Sequence, residues 1–453
     1  MKRALALLTV LLLAAAPAAA GSVRVVPPFD PATAADRGAV GLAVPGAGPT
    51  TTRASARNTL LTGRTRSSLN GGAPPGAPLI TLGAGGPPHT LVVLPPSRRT
   101  ANARYPIAVV GGGAEGVLTS DSTRIRGLVS LADVATGRMR WEPDDHPAAT
   151  LETLERRIDR NDRIRLPLSI LAGGTAYLVA LWRPRWGPRV FLLALAGNLW
   201  LAGWWLVALV AVGAIALPLG VACAATLSAY LLVLGLDPES IALSPFGPSQ
   251  AGRFYGVSNL LETFLLVPAL VGAVALGRLG AVVAGLAVVT VAGNRFGADG
   301  GGLLVLLAAY GVLALRMLRI RLTPARSLVL GVAAIGLGAA LVGLDVLLGG
   351  SSHVTAAVGN GPGDVLSDID SRLEASARRT FAGIGPALAV VASLAAAAWV
   401  ATRRPRSPIT DALVAALLVS LVVNDTPGDV LGVGAAALFT AWRFESRATS
   451  EPG

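Results

Sequence analysis

The chain has 453 residues, 53% of them hydrophobic and only 14% charged, with a mean hydropathy of +0.61. Apolar content this dense excludes an ordinary soluble enzyme and indicates a multi-span membrane protein. The formal charge is +12, but the excess lies in short arginine clusters beside apolar runs, which is a topology signal and argues against a nucleic-acid partner. One cysteine, Cys223, inside an apolar run leaves no intrachain disulfide or thiolate metal site. The three histidines, His89, His146 and His353, are far apart in sequence, so neither a metal centre nor a cofactor is expected.

Residues 1–20 read as a secretory signal. Lys2 and Arg3 precede the apolar core Ala4 to Ala16, and Ala18, Ala19 and Ala20 supply the small cleavage-site residues. Whether cleaved or retained as an anchor, the segment sends the next residues out of the cytoplasm. Residues 21–150 are rich in glycine, proline and threonine. Their short apolar runs are Leu79 to Leu82, Leu91 to Leu94, Ile107 to Val110 and Leu128 to Val134. Such runs predict buried strands of a small extracytoplasmic α/β domain. Gly111, Gly112 and Gly113 lack the rest of any phosphate-loop pattern and predict a plain turn.

Two fragments here, GAVGLAVPGAGPTTTRASARNTLLTGR (Gly38 to Arg64) and GVLTSDSTRIRGLVSLADV (Gly116 to Val134), resemble the alkaline-phosphatase-like extracytoplasmic domain of certain multi-span membrane proteins, an actinobacterial type. Phosphatases of that superfamily use two metals held by several Asp and His residues with a Ser or Thr nucleophile. No matching constellation stands here, so the resemblance implies a degenerate relative without hydrolytic activity. An envelope protein partner could dock on residues 21–150.

Residues 151–165 form a charged juxtamembrane helix in which Glu152 to Arg156 and Asp159 to Arg163 put opposite charges side by side. The membrane domain, residues 166–443, opens with a span from Leu166 to Trp182. Val190 to Gly235 is one apolar block, read as three short or tilted crossings with turns near Gly203, Trp204 and Trp205 and near Leu217 to Gly220. Further spans follow over 260–277, 279–293, 302–315, 328–348, 381–401, 409–423 and 428–442, about eleven in all. The expected fold is mainly α, a polytopic helical bundle with the small α/β domain at its N-terminus. Arg183, Arg185 and Arg189, then Arg278, then Arg316, Arg319, Arg321 and Arg326, then Arg403, Arg404 and Arg406, and finally Arg443 and Arg447, all fall on the cytoplasmic side if the basic loops stay inside. Residues 444–453 are then a cytoplasmic tail.

This topology gathers the unusual polar residues of the bundle at its outer face. They are Arg253, Tyr255, Asn259, Glu262, Arg295, Asp299, Asn424 and Asp425, with Asp345 and His353 nearby. Tyr255, Asn259 and Glu262 have helical spacing, which predicts one shared face with Glu262 the deepest. A carboxylate at that depth needs a partner, and Arg253, Arg295 or water could serve. An amphipathic helix over 364–379 could lid the site.

RFYGVSN, followed by GNRFGADGGG, is similar in layout to the O-antigen ligase and polymerase family, which pairs an R-x-x-G…N segment with a later arginine segment across one helical hairpin. Arg253, Gly256 and Asn259 match the first part, and Arg295 and Gly297 the second. Asn-Pro-Asn is replaced by Val257, Ser258 and Asn259, and Asn294 stands where the family has serine. The resemblance implies arginines that hold the phosphates of a lipid-linked glycan. RFYG-x-x-N and VVNDTP (Val422 to Pro427), taken with the outer domain, resemble the same multi-span family named above. The alternatives are a transporter or flippase with Glu262 as a proton or cation relay, and a non-catalytic envelope scaffold.

Overall fold

The computed structural model describes residues 22–45, 50–63, 88–98, 100–101, 103–120, 122–248, 254–293, 296–297, 300–320, 336, 373–374, 376–378, 380–381, 383–403, 406–424 and 426–448. They divide into two compact units: the described residues up to Arg157 with Phe254, and those from Ile158 onward without it.

The first unit is built on a seven-stranded mixed sheet. Its strands are β1 (Ser22–Val25), β2 (Gly38–Val44), β4 (His89–Val92), β6 (Tyr105–Val110), β7 (Val117–Ser120), β8 (Leu128–Ser130) and β9 (Met139–Glu142), with β3 (Thr50–Thr51) and β5 (Thr100–Ala101) paired separately. β1 and β4 are parallel, β4 and β6 antiparallel, and β6 and β2 antiparallel. β2 then takes β7 and β8 as parallel neighbours, and β7 ends the sheet against β9. Every residue of β2, GAVGLAV, is buried, as a strand covered on both faces requires.

The short helices are α1 (Pro31–Ala35), α2 (Arg53–Thr62) and α3 (Leu131–Ala135). Thr52 and Ser55 form a reciprocal capping box at the start of α2. The run Leu128 to Val134, expected as one strand, instead breaks into β8 and α3. The Ser130 side chain accepts from Ala132 N and opens the helix there. Leu91 to Leu94 is strand only to Val92, and Leu79 to Leu82 lies outside the described residues. Gly111, Gly112 and Gly113 all have positive φ, so this is a turn.

The second unit is helical. α4 (Pro147–Trp182) is a single helix of 36 residues that begins in the first unit. The expected charged helix and first span are thus one element, because Pro167 is tolerated inside it. The Glu152–Arg156 pair forms at 3.7 Å but both side chains are largely exposed, so its contribution to stability is small. The apolar block resolves into α5 (Gly187–Asn198), α6 (Trp204–Ala216) and α7 (Leu219–Leu236), broken close to the expected turns. Then come α8 (Pro238–Ala242), α9 (Asn259–Ala275), α10 (Gly280–Ala292), α11 (Gly300–Met317), α12 (Ile384–Thr402), α13 (Pro408–Val423) and α14 (Pro427–Ala448). α14 runs past residue 443, where a tail was expected. The span at 328–348, the helix at 364–379 as a whole, and Asp345 and His353 lie outside the described residues.

Among the described residues, four helices are long and apolar enough to cross a membrane: Pro147–Trp182, Leu219–Leu236, Gly300–Met317 and Ile384–Thr402. α5 and α6, at 12 and 13 residues, extend about 18–20 Å at 1.5 Å per residue, short of the roughly 30 Å hydrocarbon layer.

Side-chain bonds show which helix ends lie together. Arg443 on α14 donates to Ala180 O (3.4 Å) and Leu181 O (3.1 Å) at the end of α4. Arg189 on α5 donates to Leu217 O (3.0 Å) just beyond α6. Arg316 of α11 and Arg406 before α13 both pair with Asp411, at 2.7 and 2.9 Å. One end of the bundle is therefore gathered around arginines. The other end gathers the starts of α9 and α14 and the close of α13.

A candidate polar site around the start of α9

α9 starts at Asn259 because Ser258 caps it: Ser258 Oγ accepts from Leu261 N at 3.1 Å and donates to Phe246 O. Just before the cap, Gly256 has φ of +79°, and a Cβ there would lie 1.9 Å from Gly297 O. Val257 N donates to that same carbonyl at 2.8 Å. The segment 255–258 is thus stitched to 296–297, and only glycine fits where they touch. The two polar segments of the sequence meet at this seam.

Glu262 stands in the first turn of α9 and is 1% exposed, where the positive helix end favours a carboxylate. Its Oε2 accepts from Asn424 Nδ2 at 3.2 Å. Asn424 Nδ2 also donates to Ser420 Oγ (2.7 Å), and Asn424 O accepts from Ser376 Oγ at 3.1 Å. Asn259 Nδ2 donates to Thr426 Oγ1 at 3.1 Å, tying α9 to the start of α14. The Asn424 amide at the close of α13 is thus one partner of Glu262, and the arginines expected to pair with it, Arg253 and Arg295, lie outside the described residues.

The shared helical face of Tyr255, Asn259 and Glu262 does not form. Tyr255 is buried at 4% exposure in the loop before the helix, since the left-handed turn at Gly256 and the Ser258 cap stop α9 short of it. The depth expected for Glu262 relative to Tyr255 falls with that face. Asn259, Glu262 and Asn424 are brought together. Arg253, Arg295, Asp299 and Asp425 lie outside the described residues.

A second feature was missed in the sequence. From Ile241 to Pro248 every residue is buried, although α8 ends at Ala242. Buried backbone must find hydrogen-bond partners, and here side chains of neighbouring helices supply them. Asn161 Nδ2 of α4 donates to Leu243 O, and Arg165 Nη1 donates to Gly247 O at 2.9 Å. Asn198 at the end of α5 accepts from Phe246 N at 3.0 Å and donates to Tyr230 OH at 3.1 Å. Tyr230 in turn donates to Leu195 O at 2.9 Å. Phe246 stacks on Phe264 of α9, ring centres 4.5 Å apart. An asparagine isolated in an apolar run, as Asn198 is, was the available signal.

Chemically, the cluster offers a buried carboxylate, two primary amides and several hydroxyls beside a glycine-lined seam. That set can accept and donate hydrogen bonds and can hold a proton or a small cation. Among the described residues no group of three or more His, Cys, Asp or Glu side chains could hold a metal ion. Comparison with known proteins finds no matching family model, and no match among curated proteins or solved structures.

Proposed function

We propose that this is a multi-pass protein of the cytoplasmic membrane whose polar end faces outward and acts on a lipid-linked glycan or another anionic lipid-linked substrate. The observation that carries this reading is the convergence of Glu262, Asn424 and Asn259 on the seam between 255–258 and 296–297. Arg253 and Arg295 border these two segments in sequence, and guanidinium groups suit phosphate by bidentate bonding. The layout resembling the O-antigen ligase and polymerase family supports the same substrate class.

The arginine-rich end is cytoplasmic by the positive-inside rule. With about eleven crossings, residues 21–150 are then extracytoplasmic and the C-terminus is cytoplasmic. The N-terminal unit is a degenerate alkaline-phosphatase-like domain that docks an envelope partner, consistent with its resemblance to that family.

One observation favours a second reading. A carboxylate as buried as Glu262, bonded to the Asn424 amide and set in the membrane part of the chain, suits a proton or cation relay in a transporter or flippase. Arg253→Lys and Glu262→Gln separate the two. Loss of glycan transfer in the arginine variant, measured on cell-envelope extracts, supports the first reading. Loss of pH-driven lipid flux in the glutamate variant alone supports the second. Normal envelope chemistry in both variants overturns the two and leaves a scaffold.

A further inference from the structure

A cavity of about 620 Å³ opens between α4, α12 and α14. Its lining includes Gly174 and Tyr177 of α4, Ala396 and Trp399 of α12, and Gly432 and Phe439 of α14, and among the described lining residues no side chain is charged. Its base is aromatic: Tyr177 and Phe439 have ring centres 4.2 Å apart, and Trp399 lies 6.5 Å from Phe439. The groove stays open because small residues line it. A Cβ added at Gly174, Gly428 or Gly432 would meet nothing within 4 Å.

Two observations identify what fills it. First, its walls α4 and α12 are membrane-length helices whose apolar windows are only 28% and 11% buried by protein. Hydrocarbon therefore surrounds the groove at that depth. A polar ligand would find few partners there, and Ser169, a lining serine, already donates to Arg165 O at 2.7 Å. Second, the upper end of the groove adjoins the polar site. Leu166, in the lining, follows Arg165, which is bonded to Gly247 O. Gly428, also in the lining, lies two residues after Thr426, which is bonded to Asn259.

We propose that this groove holds the hydrocarbon tail of the lipid whose headgroup is handled at the polar end, a proposal that rests on the lipid-linked reading above. The tail would lie along α4 and α14 down to Trp399, with its phosphate left at the Asn259–Thr426 contact. Small-to-large changes at the open glycines should then evict the lipid without disturbing the polar cluster.

The test uses the full-length protein in phosphatidylglycerol nanodiscs doped with a long-chain polyprenyl phosphate or the matching polyprenol, retained lipid being read by native mass spectrometry. Wild type should retain the phosphate at least tenfold over phosphatidylglycerol. Gly432→Leu and, on the facing wall, Gly174→Leu should each lose both polyprenyl lipids by tenfold or more, with thermal unfolding unchanged. Asn259→Ala should keep the chain but lose the preference for phosphate over alcohol. Retention unchanged in two stably folded glycine variants overturns the groove, and a phosphate preference still lost in Asn259→Ala would leave the headgroup reading standing. Phosphatidylglycerol held as well as the polyprenyl phosphate by wild type overturns the proposal in favour of ordinary bilayer lipid. If the glycine variants only convert a dimer to a monomer, the occupant is a second copy and the proposal fails. If the chain is lost on filling but phosphate and alcohol bind alike throughout, the groove stands and the lipid-linked headgroup reading falls.

Discussion

Gly256 shows how much one residue can govern. Its left-handed backbone alone would cost alanine about 1–3 kcal/mol, and its Cβ would collide with Gly297 O. Gly256→Ala should therefore pry apart the two polar segments and lower the unfolding temperature in detergent, whereas Gly285→Ala, where a Cβ meets nothing, should not. Equal melting of the two variants would refute the tight seam. Asp133 makes a different residue-scale case, in the N-terminal unit. Burial raises its carboxyl above the usual carboxylate range, against the opposing pull of Arg138, 3.1 Å away, and a bond from Ser122 N. The folded state thus holds this proton more tightly than the unfolded chain. Its stabilising effect is full below the unfolded pKa and is lost as pH rises through the folded one. Asp133→Asn should flatten the pH dependence of hydrogen exchange in β7 and β8 over the acid range. A slope identical to wild type would contradict this.

Among the elements, the buried stretch Leu243–Pro248 depends most on its neighbours. Asn161→Leu would leave Leu243 O without its donor, at about 1–3 kcal/mol for an unsatisfied buried group. It should also raise proteolytic nicking after α8. Resistance equal to wild type would show that the stretch holds itself. Apolar run length and the residues that interrupt it made the helices legible: α5, α6 and α7 break close to where Trp204 and Leu217–Gly220 pointed, and α9 and α10 turn at Arg278. These signals failed where a single side chain redirects the backbone. Ser130 turns an apolar run from strand to helix, and Ser258 with Gly256 keeps Tyr255 off α9. Asn259, Glu262 and Asn424 were legible as polar residues in apolar surroundings. Ser420, Ser376 and Thr426 were not, because serine and threonine are tolerated anywhere in a helix that can satisfy their hydroxyls through its own carbonyls.

For the whole molecule, the two ends of the helical bundle differ in chemistry. Arg316, Arg406, Asp411 and Arg443 bind helix ends together at one; Asn259, Glu262 and Asn424 do so at the other. Cysteine scanning can assign the sides without first removing the native thiol, since Cys223 is fully buried. An impermeant maleimide added to intact cells should label Thr426→Cys and spare Arg319→Cys. The reverse pattern would invert the proposed orientation.

The stretch after α8 also bears on how the protein is made. Its peptide groups are adopted by Asn161 of α4 and Asn198 of α5, both synthesised well before it. Until it arrives, Asn161 lacks the carbonyl it binds and Asn198 keeps only its bond to Tyr230, so the early helices must wait in an unfinished state. A nascent chain released before residue 243 should be seized by membrane quality control, and one released after α9 should survive.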